Sequence, residues 1–223
     1  MKVLVAGAHG NTGQRIISLL AENGMEPYAM IRKEEQKDEM TKLGGKPVVA
    51  DLEGDLTQAV TGMDAVIFAA GSGGDTGPEK TIEVDQKGAI SLINTAKSKG
   101  VGHFVMLSSL GAGNPDSGPD KLKHYLEAKQ TADNALTSSG MTYTILRPGT
   151  LSDDPASGIR AAKSLADQSG TISRQDVAEA LVTSLSLECT RNKTLEMQGG
   201  NLNVKEALMN ACEGVDWKSP AQK

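Results

Sequence analysis

The sequence predicts an α/β protein with a doubly wound, mostly parallel sheet covered by helices on both faces. Three observations carry that expectation. Short apolar runs recur along the 223 residues, each followed by a stretch with helical spacing. The runs are near-continuously apolar rather than alternating, as strands buried on both faces must be. The first of them ends in "GAHGNTG", which sets Gly7, Gly10 and Gly13 between a strand and a helix.

The elements run in order from the amino terminus. "KVLVAG" reads as strand one. "NTGQRIISLLAENG" reads as a helix, with Ile16, Ile17, Leu19 and Leu20 on its apolar side and Gly24 as its stop. "EPYAMIR" is strand two, "EEQKDEMTKLGG" a polar helix, "KPVVAD" strand three and "MDAVIFAAG" strand four. "PEKTIEVDQKGAISLINTAKSKG" reads as one long helix ending at Gly100. "VGHFVMLSS" is strand five, "PDKLKHYLEAKQTADNALTSSG" a helix and "MTYTILRPG" strand six. Right-handed crossovers then give the order 3-2-1-4-5-6. Beyond Pro148 the alternation thins. Residues 151–175 read as an insert on the substrate side, the start of a small C-terminal region. Ser173 caps a helix in "TISRQDVAEALVTSLSLE". "KTLEMQGG" is a last strand and "NVKEALMNACEG" a last helix. With no linker or repeat, residues 1–223 are expected to form one domain.

Composition narrows the partners. The net charge of −5 and the scattered basic residues argue against nucleic acid or an anionic membrane. No apolar run reaches the roughly 18 residues of a bilayer span. The amino-terminal lysine runs straight into a strand, so a cytoplasmic protein is expected. His9, His103 and His124 lack metal-ligand spacing, and no metal site is expected. Cys189 and Cys212 read as two reduced, packing thiols. Oligomeric state is not readable.

The glycine loop points to a dinucleotide. Gly7 permits a tight turn, Gly10 lets the backbone approach a pyrophosphate, and Gly13 lets helix and strand pack closely. The helix start offers amide N–H groups near Asn11 and Thr12 and a partial positive charge. At the end of strand two, 19 residues past Gly13, stands Arg32, followed by Lys33. Cations there suit a ribose 2′-phosphate, so NADP(H) is expected over NAD(H). Asp51 and Leu52 come after strand three, where Asp51 can accept from an adenine amino group or cap a helix. Ala70 and Gly71 end strand four with the small residues a passing ribose requires.

"HYLEAK" places Tyr125 and Lys129 one helical turn apart. A cation beside a phenol favours its ionised form and makes it a usable acid or base. Tyr28 and Arg32, and Tyr143 and Arg147, share the spacing but lie on strands, where positions i and i+4 stand too far apart. Ser108 and Ser109 end strand five, at the carboxyl edge where open α/β sheets bind ligands.

Together "GAHGNTG", "DL", "FAAG", "SS", "YLEAK", "LRPG" and "ISRQDVA" resemble the short-chain dehydrogenase/reductase superfamily over nearly the whole chain. The spacing is that of its atypical members, similar to NAD(P)-dependent epimerase/dehydratases and to NmrA-like and flavin-reductase-like proteins. The resemblance implies a Rossmann-type fold. It implies Tyr125 as general acid/base, Lys129 as its modulator and ribose ligand, Ser109 or less favourably Ser108 as substrate holder, and Pro148 along the nicotinamide. Arg147 serves either there or in a buried ion pair. Asp85 stands where the family usually has asparagine, which departs from its proton relay because an ionised aspartate accepts but does not donate. The function implied is hydride transfer between NADP(H) and a small carbonyl or quinone-like substrate. An epimerase or dehydratase, or a non-catalytic NADP(H) sensor, are the alternatives.

Overall fold

The computed structural model describes residues 1–73, 77–167 and 169–215. Eight strands form the main sheet: β1 (Lys2–Ala6), β2 (Glu26–Ile31), β3 (Lys46–Val49), β4 (Ala65–Phe68), β5 (His103–Leu107), β6 (Tyr143–Pro148), β8 (Ile159–Ala162) and β10 (Lys193–Gly199). Their order across the sheet is β3-β2-β1-β4-β5-β6-β10-β8. Pairing is parallel from β3 through β10, and β8 joins antiparallel. The expected order 3-2-1-4-5-6 is present, extended at one side.

The pleat of β1 shows why its run is continuously apolar. Val3 and Val5 enter one core layer, with Ile16, Ile17 and Leu20 of α1 (Asn11–Glu22) and Leu181 of α7 (Arg174–Ser184). Leu4 and Ala6 enter the other, with Leu92 and Ile93 of α5 (Ala89–Ser98) and Leu136 of α6 (Asp120–Ser138). Successive side chains point to opposite faces, so a strand covered on both sides has no polar position.

The remaining helices are α2 (Lys37–Lys42), the short α3 (Thr57–Val60), α4 (Pro78–Thr81) and α8 (Val204–Glu213). Ser173 caps α7 as expected, its hydroxyl accepting from the Asp176 amide.

Three expectations are corrected. The long helix after strand four is not uniform: a π-helical turn, Ile82–Gly88, separates α4 from α5. It turns Asp85 fully inward, and such turns recur at functional sites. The insert carries three short strands. β7 (Thr150–Ser152) pairs in parallel with β9 (Thr171–Ser173), and β8 extends the main sheet. Strands of three or four residues are too short to show a period. Residue 168 of this segment lies outside the described residues. Lastly, Cys189 and Cys212 are joined as a disulfide, with Cα atoms 5.8 Å apart. The turn after α7 and helix α8 fold against one another, a proximity that a separation of 23 residues does not reveal.

Candidate functional site

The site lies along the carboxyl ends of β1, β4, β5 and β6. At β1 the three glycines have different reasons to be glycine. Gly7 has φ +83°, and a Cβ there would stand 2.6 Å from the Ala70 backbone. A Cβ on Gly13 would stand 2.1 Å from the Gly7 carbonyl oxygen. Both are therefore required by the fold. Gly10 differs: its φ is −73° and its Cβ would meet only the Gly7 oxygen, at 3.3 Å. Packing scarcely constrains it.

The first turn of α1 follows the loop. Gln14 is the first residue of the turn whose N–H finds a helical acceptor, the Gly10 carbonyl at 2.9 Å. The amides of Asn11, Thr12 and Gly13 precede it, as at any helix start. No side chain caps this helix and its first turn holds no acidic residue. In contrast, α7 and α8 are capped by Ser173 and Asn203. The start of α1 shares this lack of a side-chain cap with α2 to α6, and its amides carry the partial positive charge of any helix start.

Arg32 and Lys33 are exposed at the end of β2. Their amides donate to Gln36 Oε1 at 3.1 and 3.2 Å, which fixes the backbone. Arg32 makes no ion pair among the described residues. Asp51 accepts the Glu53 amide at 3.0 Å, closing its own turn. The helix-start role falls instead to Asp55, which accepts the Thr57 amide at 2.8 Å. Leu52 packs against Gly88 of the π turn.

Beyond β4 the loop and α6 converge on a buried polar cluster. Asp85 is wholly buried and Lys129 is 2% exposed; Lys129 Nζ lies 3.5 Å from Asp85 Oδ1. The Ser72 amide donates to Asp85 Oδ2 at 2.9 Å, and Gly71 passes so close that a Cβ would stand 3.3 Å from Oδ1. The Lys129 ammonium lies 5.6 Å from the Phe68 ring centroid and 6.0 Å from that of Tyr125. Burial opposes its charge. Tyr125, Asp85 and Asp133 outweigh burial and hold its pKa above the ordinary lysine value.

The two serines diverge. Ser108 is buried and its hydroxyl donates to Asp133 Oδ2 at 2.8 Å. Arg147 Nε donates to the same oxygen at 3.0 Å, so the ion-pair alternative for Arg147 is the one present. Burial raises the pKa of Asp133, against the opposing pull of Arg147, Ser108 and Lys129. Ser109 is half-buried and donates to the Leu110 carbonyl at 3.2 Å. Pro148 ends β6, its carbonyl accepting the Leu110 amide at 2.8 Å. The structure therefore gathers Tyr125, Lys129, Asp85 and Gly71, and sets Ser108 behind Asp133. Sequence reasoning misses Asp133 and Phe68. Asp133 is findable, since it repeats the one-turn step from Tyr125 to Lys129.

Among the described residues no helix is long and apolar enough to cross a membrane. Comparison with known proteins gives the family. A family profile described as NAD(P)H-binding matches residues 7–188. The "Uncharacterized sugar epimerase YhfK" of Bacillus subtilis is 44% identical over 93% of this chain and 99% of its own. Sanguinarine reductase of Eschscholzia californica is 31% identical over 93% of this chain and 92% of its own. A solved structure from Bacillus halodurans, put forward as an NAD-dependent epimerase/dehydratase, superposes with a TM-score of 0.91 at 40% identity, covering 94% of this chain and 99% of that one. The chain belongs to the NAD(P)H-binding family, among the atypical relatives of the short-chain dehydrogenase/reductases with a Rossmann-type fold.

Proposed function

We propose that the protein is an NADP(H)-dependent oxidoreductase that reduces a small carbonyl or quinone-like substrate. The observation that carries this is the buried Lys129, held against Asp85 and beside Tyr125 where the β4 loop approaches α6. An ammonium sealed from water is costly to keep, and buried charged groups beside a titratable hydroxyl cluster at functional sites.

A nicotinamide held there would supply hydride to the substrate carbonyl carbon. The chain's residues do the rest. Gly10 and the amides of Asn11, Thr12 and Gly13 hold the pyrophosphate. Arg32 and Lys33 take the 2′-phosphate, Asp51 and Leu52 the adenine end, and Ala70, Gly71 and Pro148 flank the ribose and nicotinamide. Ser109 orients the carbonyl. Tyr125 gives its hydroxyl proton to the carbonyl oxygen and is reprotonated from water. Lys129 steadies the negative charge this leaves on the phenol oxygen.

The test is NADPH oxidation against a panel of quinones, flavins, aldehydes and ketones, with Tyr125→Phe beside the wild type. Turnover should fall at least about a hundredfold in the variant while NADPH binding is kept. Turnover equal in both would remove Tyr125 from the chemistry. The epimerase name carried by the Bacillus subtilis relative favours a second reading, transient oxidation and return of one hydride. It predicts substrate inversion with no net consumption of cofactor. Tight NADPH binding without any conversion would instead favour a sensor.

A further inference from the structure

Asp85 stands where the family resemblance implies an asparagine, and its surroundings show what its carboxylate faces. Its carboxylate is wholly buried on the π turn. Oδ2 takes the Ser72 amide; Oδ1 has no hydrogen-bond partner among the described residues and faces Lys129 Nζ at 3.5 Å. An asparagine could accept the Ser72 amide equally well. Only a carboxylate adds a negative charge to the lysine.

We infer that Asp85 is a positioning residue that acts through Lys129: its carboxylate fixes the ammonium and cancels part of its field, setting the pH at which Tyr125 gives up its proton. This rests on the proposed roles of Tyr125 and Lys129. The cation beside Tyr125 is then only partly felt, and the phenol keeps its proton to higher pH than it would beside an amide-paired lysine. That suits a residue whose task is to donate.

The charges facing this group are few. On α6 they are Lys129 itself and Asp133, and Asp133 is shared with Arg147 of β6. From the π turn there is Asp85. Several charges on the packed elements pair at the surface: Lys80 with Glu53, Lys87 with Glu83 and Lys123 with Asp116. Glu79, Lys97, Asp120, Lys121 and Glu127 are exposed, and the His124 ring bonds the Pro78 carbonyl at 3.0 Å. Asp85 is thus the nearest counter-charge to Lys129 contributed by another element.

The experiment is a spectroscopic titration of Tyr125, which needs no substrate. Ultraviolet difference spectra track phenolate formation in the wild type and in Asp85→Asn, with the signals of the other two tyrosines removed by subtracting Tyr125→Phe in each background. The Tyr125 midpoint should fall by roughly one pH unit in Asp85→Asn and stay near the wild-type value in Asp85→Glu, which keeps the charge. A midpoint unchanged or raised in Asp85→Asn overturns the inference. If circular dichroism shows that Asp85→Asn does not fold, Asp85→Ser carries the same test. Loss of fold in both makes Asp85 a folding residue and overturns it too. Failure of the proposed function is read separately, as absence of turnover in the acceptor panel, and leaves this titration interpretable.

Discussion

Replacing Gly10 and Gly13 one at a time by alanine separates what the loop owes to the fold from what it owes to a ligand. The Cβ of Gly13→Ala would lie 2.1 Å from the Gly7 oxygen and 2.8 Å from the Ala8 carbonyl carbon. These are backbone atoms, so no rotamer change relieves the contact, and α1 must move off the loop by about 1 Å. Overpacking of this kind costs typically 1–3 kcal/mol. The backbone origin places it at the upper end, and alanine's better helix propensity returns at most about 1 kcal/mol. A net loss of about 2 kcal/mol is expected, or roughly 4–8 °C in melting temperature for a chain of this size. Gly10→Ala meets only the Gly7 oxygen, at 3.3 Å, in a backbone conformation alanine adopts freely. Its cost is under about 1 kcal/mol, the difference between glycine and alanine before a helix. NADPH affinity should nevertheless fall at least about tenfold, since one methyl group would displace the pyrophosphate from the amides. Urea unfolding and NADPH fluorescence titration measure the two quantities. A Gly10→Ala variant that binds NADPH like the wild type would refute the assignment of the loop to the pyrophosphate. A Gly13→Ala variant of unaltered stability would refute the steric argument.

Two further outcomes are expected. Arg32→Glu should weaken NADPH binding by about tenfold or more and leave NADH binding nearly unchanged, because only the former carries a 2′-phosphate for the guanidinium; equal losses for both nucleotides, by fluorescence titration, would show that Arg32 does not read that group. His103 is buried against Thr144, and burial, aided by Arg191, pushes its pKa down to about 4. Its unfolded value is near 6.5, so the unfolded chain binds the proton first and stability falls as pH drops from about 6.5 towards 4. The loss attributable to this group is on the order of 1–3 kcal/mol, and it should be absent in a His103→Gln variant monitored by urea unfolding across that range.

The sheet was legible because its strands are covered on both faces: the run from Val3 to Ala6 has to be apolar at every position, and that is visible without a structure. The strands of the insert were not, since Thr150–Ser152 and Thr171–Ser173 owe their conformation to each other rather than to any local period. At the site the same division holds. The glycines could be read because their spacing lies within one short strand–loop–helix segment, although the Ala70 backbone that also requires Gly7 comes from the end of β4 and is not visible there. The pairing of Lys129 with Asp85 could not, because it depends on a π turn that rotates one carboxylate inward. Nor could Ser108 be told from Ser109. Neighbours at a strand end point to opposite sides, and only the register of β5 against α6 decides which hydroxyl meets Asp133. What that arrangement leaves half-buried is Ser109, while Ser108 is committed to Asp133 and, through it, to Arg147.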